Sequence, residues 1–130
     1  MTLPKIVRLG SGGDARTIGQ PYYRVVAGKP SARASDTFKD SSGAVDAGIA
    51  EYKPGSLDLL GYPHDEYCFL LEGDLVITHE SGERHTFVPG DAFLLPRGFK
   101  GRWEMPNGMK KYYVVFDRFA KAQASAAAGG

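Results

Sequence analysis

The chain has 130 residues, a formal net charge of +1, and 42% apolar and 24% charged residues, the proportions of one ordinary globular domain rather than of a disordered or membrane-embedded chain. A charge so near zero gives no long-range pull on a phosphate backbone, and no stretch approaches the ~20 apolar residues of a membrane helix, so neither nucleic acid nor membrane is an expected partner. The start lacks the apolar core of a signal peptide and Cys68 is the single cysteine, which together predict a cytoplasmic protein with no internal disulfide and no cysteine-based zinc site, Cys68 itself reading as a small buried hydrophobe.

In chain order, residues 1–20 read as a loose arm. Within it, Lys5-Ile6-Val7-Arg8-Leu9 followed by Gly10-Ser11-Gly12-Gly13-Asp14-Ala15 imitates a dinucleotide-binding fingerprint. That fingerprint needs its glycine turn to open a helix facing the pyrophosphate, and Gly19 and Pro21 break the chain too soon for one. Residues 21–119 read as a single β domain. Strands are predicted over Tyr22–Ala27, Val45–Tyr52, Ser56–Leu60, Glu66–Leu71, Asp74–His79, Arg84–Val88, Ala92–Leu95, Arg102–Met105 and Lys111–Asp117. The connectors Pro54-Gly55, Glu72-Gly73, Ser81-Gly82, Pro89-Gly90 and Asn107-Gly108 each put glycine where a turn can need positive φ. Short strands at this even spacing predict an all-β sandwich or closed barrel. Residues 120–130, rich in alanine and glycine, read as a disordered tail or frayed helix.

Two spaced blocks carry more information. Glu66 is followed by six residues and Gly73, and Gly90-Asp91-Ala92-Phe93-Leu94-Leu95-Pro96-Arg97-Gly98 follows after a hairpin over Ser81-Gly82. In these blocks the chain resembles a cupin, which implies a single-domain jelly-roll barrel (a double-stranded β-helix) of two packed antiparallel sheets. Pro54-Gly55-Ser56, Asp65-Glu66-Tyr67-Cys68, Gly101-Arg102-Trp103-Glu104 and Lys111-Tyr112-Tyr113 extend the likeness over roughly residues 45–117. They resemble the group named after the ureidoglycine aminohydrolase cupin domain, to which ethanolamine-utilisation cupins also belong. In metal-binding members of the superfamily three histidines and the glutamate hold the ion. At the matching positions this chain has Leu60, Tyr62 and Gly101, so of the four ligands only Glu66 remains. One carboxylate cannot hold a metal of the kind that histidine-rich sites select, so no cofactor is expected; any metal would have to use His64 and Glu66.

Strand alternation sends Tyr62, His64, Cys68 and Leu70 to the same side as Glu66, and Gly101, Trp103 and Met105 to a shared face. The expected pocket is therefore Tyr62, His64, Glu66, Phe93, Trp103 and Lys111, with Gly101 leaving a gap that the indole partly fills. Glu66 is either a buried carboxylate satisfied by Tyr62, His64 or Lys111, or a general acid or base. Arg97, Lys100, Arg102, Lys110 and Lys111 read as a solvated face or a basic rim, and His79 and His85 as surface or sheet residues. The expected function is metal-free binding of a small organic molecule in the barrel. The alternatives are an enzyme of aminohydrolase, isomerase or lyase type using Glu66 with His64 or Tyr62, with or without a metal, and a scaffold plugged by Trp103. Cupins resembling this one commonly pair through their N-terminal strands, and the apolar Tyr22–Ala27 would be exposed on a solitary edge strand, so a homodimer is expected.

Overall fold

The computed structural model describes residues 4–10, 15–18 and 23–116, with the side chains of 15–18 excepted. The strands in chain order are β1 (Ala15–Ile18), β2 (Tyr23–Gly28), β3 (Ala32–Lys39), β4 (Val45–Tyr52), β5 (Gly55–Leu60), β6 (Asp65–Gly73), β7 (Leu75–His79), β8 (Arg84–Phe87), β9 (Ala92–Leu95), β10 (Lys100–Met105) and β11 (Met109–Phe116). They form two antiparallel sheets, ordered β1-β3-β4-β11-β6-β9 and β2-β5-β10-β7-β8. Among the described residues there is no helix, and so none long and apolar enough to cross a membrane. Two packed antiparallel sheets are the all-β jelly roll expected from the spaced blocks.

Alternation builds the core. Glu66, Cys68 and Leu70 of β6 point between the sheets while Tyr67 points out, and Trp103 and Met105 of β10 point in while Arg102 points out. Leu57, Leu59, Tyr62, Leu70, Leu75, Ile77, Leu95, Trp103, Met105 and Met109 fill the space between the sheets. Each fully buried aliphatic side chain here contributes about 1.5–3 kcal/mol. The turns use their glycines as expected; at Gly73 (φ +80°) a Cβ would lie 2.1 Å from the Gly108 carbonyl oxygen, so only glycine lets the β6 and β11 ends approach.

Two segments differ from the sequence reading. Ala15–Ile18, placed in the loose arm, is strand β1, paired from Ala15 with Ser35 to Ile18 with Ala32. Its partner β3 escaped notice because Ala-Arg-Ala-Ser-Asp-Thr-Phe-Lys is poor in the β-branched and aromatic residues that mark strands. Small side chains fill this place: Ala34 is buried against Ala50 and Tyr113. The dinucleotide fingerprint fails on the same ground, since Lys5–Leu9 is not a strand and Ala15 opens a strand rather than a helix. The tail at 120–130 and the end of the barrel domain at 117–119 lie outside the described residues.

Candidate functional site

The polar centre of the interior is an ion pair supplied by neighbouring strands. β11 lies between β4 and β6, with Lys111 opposite Ala50 on one side and Leu70 on the other. A bulge at Lys110/Lys111 turns Lys110 outward to Glu72, 3.6 Å away, and Lys111 inward. Lys111 Nζ reaches Glu66 Oε2 at 2.5 Å, both side chains nearly free of solvent contact. Glu66 also accepts from the Tyr62 hydroxyl at 2.5 Å and from the Cys68 thiol at 2.8 Å. The ammonium lies 4.9 Å from the Trp103 ring centre and 5.6 Å from that of Tyr52, so the rings stabilise the charge on a side that has no carboxylate.

These contacts decide the protonation states. Burial pushes the Glu66 carboxyl up, but the Lys111 charge and the hydrogen bonds from Cys68, Lys111 and Tyr62 outweigh it and hold the group below the usual carboxylate range. Burial disfavours the Lys111 ammonium, yet the Glu66 carboxylate 2.5 Å away more than offsets this and holds it well above an ordinary lysine. Burial also pushes the Cys68 thiol well up, so it stays a neutral donor. Glu66 is thus a satisfied carboxylate anchored by Tyr62 and Lys111, one of the two roles its position allowed.

The structure brings Tyr62, Glu66, Trp103 and Lys111 together. His64 lies in the bend before β6 with its ring edge-on to Tyr62, centres 5.9 Å apart. Phe93 meets Trp103 edge-on, ring centres 6.2 Å apart, and stacks on Phe87 at 4.3 Å. Sequence reasoning missed Tyr23 and Tyr52. Tyr52 was within reach of the alternation rule, because it shares β4 parity with the inward Gly48 and Ala50. With Tyr62, Leu57, Leu59, Trp103 and Lys111 they line a cleft of about 300 Å³ including its mouth, of which about 10 Å³ admits the centre of a water molecule, room for roughly one. The indole Nε1 of Trp103 is buried with no acceptor among the described residues.

The expected gap at Gly101 is not there. A Cβ on Gly101 would lie 2.5 Å from the Thr78 carbonyl oxygen and 2.8 Å from the Phe99 ring, which takes up the space. Leu60 is half exposed on the outer face, and the Tyr62 hydroxyl is committed to Glu66. Glu66 in turn holds an ammonium ion. The four positions where metal-binding cupins place their ligands therefore do not fit a metal, and among the described residues no three His, Cys, Asp or Glu side chains come together as a metal-holding group. The basic residues expected at a rim are largely committed elsewhere. Lys111 is interior, Arg102 is paired with Asp58 at 2.9 Å, and Arg97 donates to the Pro63 carbonyl at 2.8 Å. His79 and His85 sit at the β7–β8 hairpin, bonded to Ser81 and Glu83.

The comparisons agree with the architecture. The chain resembles the EutQ protein of Clostridium difficile at 22% identity and a TM-score of 0.59, covering 68% of this chain and 69% of that one. It resembles a putative ethanolamine utilization protein Q of Salmonella typhimurium at 19% identity and a TM-score of 0.60, covering 81% and 98%. A DUF861 family protein of Thermotoga maritima is 31% identical over 52% of this chain and 76% of that one, with a TM-score of 0.50. No functionally curated protein matches in sequence. The model of the EutQ-like cupin domain matches residues 39–113, more than half of the sequence, and the chain belongs to that family.

Proposed function

We propose that this cupin binds a small organic molecule, without a metal, at the cleft between Tyr23, Tyr52, Tyr62 and Trp103. One observation carries the reading: Lys111, a buried charged residue, lines a cleft whose other walls are aromatic and aliphatic, the usual character of a small-molecule site. Its donors are the Lys111 ammonium and, where it faces the cleft, the Trp103 indole N–H, so the matching ligand carries a hydrogen-bond acceptor such as a carbonyl or carboxylate oxygen. Because the closed cleft has room for about one water, entry requires one of the wall rings to turn aside. A reduced Cys68 suits a cytoplasmic setting.

An aminohydrolase, isomerase or lyase reaction through Glu66 has less support. Glu66 is held ionised, so it has no proton to give as a general acid, and as a general base it is weak because its oxygens are already taken up by Lys111 and Tyr62. The aminohydrolase activity implied by the ureidoglycine-type resemblance gains no support from these residues.

Trp103 is the only tryptophan, so its fluorescence reports on this cleft. Titration with a panel of short carboxylates, amides and amino alcohols, including ethanolamine because the Salmonella relative is named for its utilisation, should give saturable quenching with at least one compound. Glu66→Gln, which leaves Lys111 misplaced, should weaken that compound roughly tenfold or more. Unchanged affinity in a folded Glu66→Gln protein, or no saturable change with any compound, would overturn the proposal.

A further inference from the structure

A cation held inside a protein is met by a carboxylate, by aromatic faces or by both. Around Lys111 Nζ the interior supplies both. Glu66 Oε2 is 2.5 Å away, the Cys68 sulfur 3.6 Å, and the ring centres of Trp103 and Tyr52 are at 4.9 and 5.6 Å. None of these groups belongs to β11, the strand that carries the lysine; they come from β4, β6 and β10. The Tyr62 hydroxyl holds the other Glu66 oxygen, which fixes the direction of the carboxylate independently of Lys111. Such a cage suits any ammonium ion of the right length, and the 3% exposed Lys111 is the one that fills it.

We infer that the barrel interior is a site for a primary alkylammonium ion, that the chain occupies this site with its own Lys111, and that the occupancy closes the cleft to amines. Among the described residues the cleft's lining contains Lys111 but no carboxylate, and Glu66 behind it is already paired. A second ammonium there would face Lys111 at low dielectric with no counter-charge, whereas an amine-free acceptor would not. This selectivity rests on the small-molecule reading of the cleft; the ammonium site does not.

Lys111→Ala removes the stem beyond Cβ, three carbons and the nitrogen, which is the outline of propylammonium. The full-length variant is refolded from denaturant at neutral pH with propylammonium chloride, so that entry needs no ring to turn aside. It should recover native Trp103 fluorescence and melt roughly 5 °C or more higher than in sodium chloride of equal ionic strength once the amine is near saturation. Ethylammonium and butylammonium should bind roughly threefold or more weakly, and propan-1-ol should give far less. Glu66→Gln combined with Lys111→Ala should abolish the gain. In wild type, propylammonium and ethanolamine should change neither signal, and amine-free acceptors should be the panel compounds that quench. A Lys111→Ala chain that gains neither fold nor stability from propylammonium, gains as much from propan-1-ol, or keeps the gain after Glu66→Gln would overturn the ammonium site. Saturable quenching of wild type by an amine would overturn the selectivity. Quenching by no panel compound would overturn the small-molecule reading and the selectivity with it, while the ammonium site is decided by the rescue alone.

Discussion

Replacing Lys111 with Met is expected to lower stability by about 3–5 kcal/mol, since it leaves the Glu66 carboxylate buried with only Tyr62 and Cys68 as donors. Glu66→Gln, which strands the ammonium between Trp103 and Tyr52, should cost a similar amount. The double variant replaces a charged pair with neutral groups of similar size, so its loss should fall well short of the sum, with a coupling of roughly 0.5–3 kcal/mol. The pH dependence supplies a sign. Glu66 has a lowered folded pKa, so its stabilising contribution is present above the unfolded carboxylate value of about 4.3 and lost as pH falls through the folded value. Lys111 has a raised one, so its contribution is present below the unfolded value of about 10.4 and lost as pH rises through the folded value. The advantage of wild type over the double variant should thus be level between roughly pH 5 and 10. In Lys111→Met the burial of Glu66 is opposed only by the hydrogen bonds from Tyr62 and Cys68, so its pKa rises and the penalty of that variant should shrink as the solution is acidified. Denaturant melts across pH give all of these values. Additive single losses, or a Lys111→Met penalty that grows in acid, would contradict the pair.

Gly101→His, which restores a histidine at a lost ligand position, is expected to cost roughly 1–3 kcal/mol and to recruit no metal. The Phe99 ring can swing away from a new Cβ, but the Thr78 carbonyl oxygen at 2.5 Å belongs to the paired strand β7 and cannot. Even with the imidazole in place, Leu60 faces outward and Glu66 remains bound to Lys111. Thermal melts with and without added zinc test this; unchanged stability, or a zinc-dependent rise in melting temperature, would show that the position is open after all.

Much of this was legible in the sequence, for identifiable reasons. The Glu66–Gly73 and Gly90–Gly98 blocks fix turns and strand ends through glycine and proline geometry, and period-two alternation then sends Glu66, Cys68, Leu70 and Trp103 inward. Lys111 could be named as a partner for Glu66 because a buried carboxylate needs a cation. Less readable was β3, whose alanines fit a tight contact that strand propensity does not register. Nor could a glycine at position 101 be told from a vacancy, because the occupant, Phe99, comes from the preceding turn. Tyr23 joins the cleft through the pairing of β2 with β5, and local sequence does not specify which strands are neighbours.

The central claim is that a buried ammonium ion, not a metal, provides the positive charge at Glu66. Elemental analysis of protein purified without chelators tests it most directly: the account predicts less than about a tenth of an equivalent of zinc, manganese, nickel or iron per chain. About one equivalent per chain, lost in Glu66→Ala or His64→Ala, would contradict it.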